Sequence, residues 1–141
     1  MGHQGNYSNT AADRAIRSID RKREQERKQM LQHAYQHAED LAIQLVQKLL
    51  DEHILETTSD KAIKELVAER LKKLSEMEEF DIQFKTAPLR GLVNDPNFLS
   101  LYFTQYLIED LIEHPKVQDV FGDDATIYRA VDAVFSKIRP R

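Results

Sequence analysis

The chain has 141 residues, no cysteine, 41% hydrophobic and 31% charged residues, and a formal net charge of -4. That length suits one domain. The missing cysteine excludes a disulfide scaffold, a thiol nucleophile and cysteine-based zinc or iron–sulfur ligation. No apolar run approaches the roughly 18 residues that span a bilayer, and the polar start lacks a signal-peptide core. No membrane contact is therefore expected, and the expected location is cytoplasmic. Only four glycines and four prolines argue against a turn-rich all-β fold.

In chain order, residues 1–9 (MGHQGNYSN) show no periodicity and read as a disordered tail. Residues 10–141 read as a single helical domain, with a charged helical arm over 10–28 and a bundle core over 29–141. Thr10-x-x-Asp13 resembles a capping box. From there to about His53 there is neither glycine nor proline, and strong helix formers dominate. One helix over that span is about 65 Å long, longer than the body it packs against. Leu31, Tyr35, Ala38, Ala42, Leu45 and Leu49 form an a/d seam along its second half. Traced backward, the seam meets Lys28, Glu24 and Arg21, so the first half must be solvated or taken up by a partner.

A second helix is expected from a cap among Thr57, Thr58 and Ser59 to about Glu79, with Ile63, Val67, Leu71, Leu74 and Met77 on one side. It should pack on the first as an antiparallel hairpin. Residues 80–94 look irregular: Phe80, Ile82 and Phe84 alternate with polar residues, as in a short extended segment. Asp95-Pro96 then signals a helix start, with Asp as N-cap. The third helix, Pro96 to His114, is apolar almost all round except for a strip through Gln105, Glu109 and Glu113, so it is expected at the centre. Gly122 marks a stop. Asp123 or Asp124 caps a fourth helix with the stripe Ile127, Val131, Val134 and Ile138. The expected fold is an all-α bundle of four main helices with a projecting N-terminal helix.

Little in this pattern carries chemistry. His33 and His37, four apart, with Asp40 beyond them, are weak candidates for a metal site, with His53 or His114 as a distant third ligand. The glutamate that follows the first histidine of a zinc-protease helix is Ala34 here, so neither metal nor cofactor is expected. The late carboxylates Glu109, Asp110, Glu113, Asp119, Asp123 and Asp124 are read as an exposed strip and as helix caps. Phe98, Tyr102, Phe103 and Tyr106 recur at helical spacing and read as core. Phe80, Phe84, Leu89 and Leu92, around a turn at Arg90-Gly91, must pack down or form a binding surface. No glycine-rich phosphate loop, nucleophile–base pair, helix-turn-helix, EF-hand, ferritin-like or repeat signature fits, so no catalytic residue is assigned.

The sharpest electrostatic feature is the arm. Arg14, Arg17, Arg21, Lys22, Arg23, Arg27 and Lys28 stand against Asp20, Glu24 and Glu26, a basic segment on an acidic chain. The expected function is a non-catalytic interaction or assembly protein. It would form a homodimer or bind a protein partner through the long first helix, with the seam at the interface. The alternative is a nucleic-acid-associated accessory protein using the basic arm, although the arm has no aromatic residue for base stacking; a weaker alternative is a metal-dependent enzyme around His33 and His37.

Overall fold

The structure, a computed structural model, describes residues 11–140. The expected tail and the Thr10 cap lie outside them. Among the described residues the fold is all-α, with six α-helices and one two-stranded sheet. The helices are α1 (Ala11–Gln36), α2 (Ala38–Asp51), α3 (Asp60–Lys73), α4 (Glu79–Thr86), α5 (Phe98–Glu109) and α6 (Asp124–Phe135). The strands β1 (Leu55–Thr57) and β2 (Val117–Val120) pair antiparallel, with Leu55 opposite Val120 and an irregularity between Glu56 and Thr57.

The expected first helix is present but divided. His37 leaves helical geometry (φ -113°, ψ 26°), while the hydrogen bonds His37 N–H to His33 O and Leu41 N–H to His37 O (both 2.9 Å) carry the ladder across it. The seam is a packing seam. Ala38, Ala42, Leu45 and Leu49 are completely buried, because α2 packs on α3 and α6. They are therefore covered within the chain and not available to a partner. Of the six seam residues only Tyr35 is exposed.

The α3 helix starts at Ser59, whose hydroxyl accepts from the Ala62 amide (3.2 Å). It ends earlier than expected, at Lys73, and a 3-10 turn at Leu74–Glu76 follows. The extended segment expected over residues 80–84 is the helix α4 instead. The alternation Phe80-x-Ile82-x-Phe84 is also compatible with a helix that buries Ile82 and Thr86 and leaves both phenylalanines outside. The Thr86 hydroxyl bonds back to the Ile82 carbonyl (3.0 Å), and Gln83 bonds Glu79 across one turn (2.9 Å).

Helix α5 is the centre of the fold, buried continuously from Leu99 to Leu107. Its cap is Asn97 rather than Asp95: Asn97 Oδ1 accepts from the Leu99 amide (3.0 Å). Asp95 takes a left-handed conformation (φ 48°) that an aspartate can adopt. The expected polar strip is only partly solvated, because Gln105 is buried and hydrogen-bonds to Glu109. The helix ends at Glu109, and a 3-10 turn at Leu111–Glu113 leads into β2. The strands escape periodicity because they have three and four residues, too few for an alternating pattern to register.

Asp123 caps α6 as expected, accepting from the Thr126 amide (2.8 Å). That backbone hydrogen bond, reinforced by the Thr126 side chain, holds its carboxyl below the ordinary carboxylate range. A carboxylate depressed in this way stabilises the fold above its unfolded-state pKa of about 3.9, and the contribution is lost as pH falls through the lower folded value. Urea midpoints at pH 7 and pH 3 check this. Asp123→Asn, which keeps the cap, should narrow the difference between them, and an unchanged difference would contradict it.

Candidate functional site

The exposed elements of interest meet around α1. Only the second part of this helix packs on the body, through Met30 and Ala34, both buried, against α3 and the turn after it. At about 100° per residue, Ala12, Ile16, Ile19 and Arg23 fall within about 40° of Met30. The packing side of α1 therefore runs on past the body as an apolar edge. Ile16 is 57% and Ile19 52% exposed. Arg14, Arg17, Arg21 and Lys28 fall on the opposite side, where they form a basic stripe.

The structure separates the seven basic residues of the arm into two groups. Arg23 and Arg27 turn toward the body and line a cleft of about 480 Å³, together with Arg90 and Arg139 from distant parts of the chain. The remaining five, Arg14, Arg17, Arg21, Lys22 and Lys28, lie outside it and are exposed. Arg27 is tied down: it pairs with Glu79, and its guanidinium carbon stands 5.1 Å from the centre of the Phe98 ring. Burial pushes its pKa down, with the Glu24 charge opposing the shift. Its Nε is buried with no hydrogen-bond partner. Arg139 donates to the Asp95 carboxylate (2.9 Å). Arg90, Arg139 and the capping Asn97 carry no sequence signal for this cleft, because only the tertiary fold brings them to the arm.

On the far side of α4, Phe80 and Phe84 are 73% and 74% exposed, with ring centres 6.3 Å apart and nearly parallel. Glu76, Glu78, Glu79 and Asp81 surround them in sequence. A second concavity, between α2 and α3, has Ile43 and Ala68 in it among charges of both signs.

The other candidates resolve into structural roles. His33 and His37 are exposed, with ring centres 6.1 Å apart. Among the described residues no three acidic or histidine side chains are placed to hold a metal ion. His53 sits in a left-handed conformation after α2 (φ 57°), and His114 Nδ1 accepts from the Lys116 amide (3.1 Å). Glu109 and Asp110 both pair with Lys85 (2.9 and 3.0 Å). Asp119 accepts from the amide of Val120 (2.8 Å). Tyr102, Phe103 and Tyr106 belong to the core, and Phe98 packs against it. No described helix is long and apolar enough to cross a membrane. Comparison with family models, curated proteins and solved structures finds no match to this chain.

Proposed function

We propose that this chain is a non-catalytic helical interaction protein that self-associates through the arm of α1, in a cytoplasmic setting. The observation that carries the reading is the uncovered apolar edge at Ile16 and Ile19, collinear with the buried Met30 and Ala34. An isolated helix in water gains little from two exposed isoleucines, whereas burying the exposed half of each against a partner contributes about 1 kcal/mol or somewhat more. A second copy offers a suitable receiving surface in the Phe80–Phe84 pair. Exposed paired aromatics are the kind of residue enriched at interface cores.

Removing residues 1–28 tests this. The cut leaves Met30, Ala34 and the whole core in place and takes away the arm. The shortened chain should keep the helices that remain and lose association by light scattering. A truncated chain that associates as before would remove the arm from the interface.

The basic stripe of Arg14, Arg17, Arg21 and Lys28 favours a second reading, as a nucleic-acid accessory protein. Binding to mixed-sequence RNA or DNA should then fall steeply with salt, and no binding at low salt would end that reading.

A further inference from the structure

We propose that the cleft between α1, α4, α5 and the C-terminal turn is a binding site for a small soluble organic phosphate. Four guanidinium groups, from Arg23, Arg27, Arg90 and Arg139, line it with no lysine among them. That composition is chemically selective. The planar guanidinium offers paired donors that match the oxygens of a phosphate, whereas an ammonium acts as a point charge. Two carboxylates, Glu26 and Asp95, also line the wall. Asp95 is engaged by Arg139 (2.9 Å), so that carboxylate and that guanidinium are already paired with each other.

Three features mark the cleft as more than a gap between charged side chains. Arg23 comes from α1 and Arg90 from the turn after α4, and neither has an ion-pair partner among the described residues. Arg27, already held by Glu79 and the Phe98 ring, keeps a buried Nε donor without an acceptor. The rest of the lining includes Met30, Ile82, Phe98 and Leu101, an apolar wall for the body of the ligand. Its volume lies in the usual range for small-molecule sites, about 300–1,000 Å³. Together these features describe a phosphate head group on an apolar or aromatic body. The proposal does not rest on self-association: Arg23 and Arg27 belong to the arm, but Arg90 and Arg139 do not, and ligand binding is read separately from solution mass.

Phenyl phosphate is a suitable probe, titrated calorimetrically into the full-length protein at fixed ionic strength with inorganic phosphate alongside. The expected result is saturable binding of phenyl phosphate, tighter than inorganic phosphate. It should weaken at least tenfold in Arg23→Gln/Arg90→Gln and stay unchanged in Arg14→Gln/Arg21→Gln, which lowers the arm's charge outside the cleft. Circular dichroism of each variant separates lost binding from lost folding. Absence of saturable binding at millimolar probe, or equal weakening in both double variants, would overturn the proposal. Capture by vesicles containing phosphatidic acid without binding of phenyl phosphate would overturn the assignment to a soluble ligand.

Discussion

Phe103→Ala is expected to cost about 3–5 kcal/mol, as large aromatic-to-alanine changes in a core do. Phe103 has no solvent exposure and sits where α5 packs on α6. Its ring meets Phe135 of α6 at 5.2 Å and stands edge-on to Tyr102 at 5.4 Å and Tyr106 at 5.9 Å. Truncation removes the transfer free energy of the ring and leaves a void among Tyr102, Tyr106 and Phe135. For a domain with about 5–15 kcal/mol in total, that is a large fraction, visible as a fall in melting temperature of roughly 10 °C or more. Phe80→Ala is the matched control. At 73% exposure it should change stability by no more than about 0.5 kcal/mol. Equal losses in the two variants would contradict the placement of α5 at the centre.

Ile16→Ser combined with Ile19→Ser is expected to weaken self-association strongly while leaving the fold intact. Both positions are more than half exposed, so the isolated chain loses little. Serine leaves the net charge of the arm unchanged, which separates apolar docking from charge steering. Anchors at an interface lose about 1–2 kcal/mol or more each on truncation. Two of them together correspond to roughly a thirtyfold to thousandfold weaker association. Sedimentation across a concentration series reads that change directly. The Phe80→Ser/Phe84→Ser variant should act in the same direction if those rings receive the arm. Association that survives loss of the isoleucines would place the contact elsewhere on the molecule.

Much of the fold was legible in the sequence because long amphipathic patterns report burial directly. The stripe of α6 and the apolar run of α5 follow from periodicity, and the caps at Ser59 and Asp123 from their side-chain chemistry. The a/d seam was legible as an apolar face, but its spacing does not say which helix covers it. Here α3 and α6 of the same chain do, so the buried part of the seam is closed to a partner while Ile16 and Ile19 on α1 stay exposed. Helix α4 was hidden because two of its apolar residues face outward, so its pattern imitated a strand. The two strands were hidden because their pairing joins segments some sixty residues apart, with no local signal for it. The arm was readable as a charged, unpartnered helix. The cleft was not, since Arg90, Asn97 and Arg139 reach Arg23 and Arg27 only through the packing of α1, α4 and α5.

The most direct test of the central claim is the solution mass of the intact chain by size-exclusion with light scattering, at moderate salt and two concentrations. The expected result is a mass at least twice that of the 16.4 kDa chain, decreasing toward one chain on dilution. A single-chain mass at both concentrations would contradict self-association through α1, and would leave Ile16, Ile19 and the basic stripe to a heterologous partner.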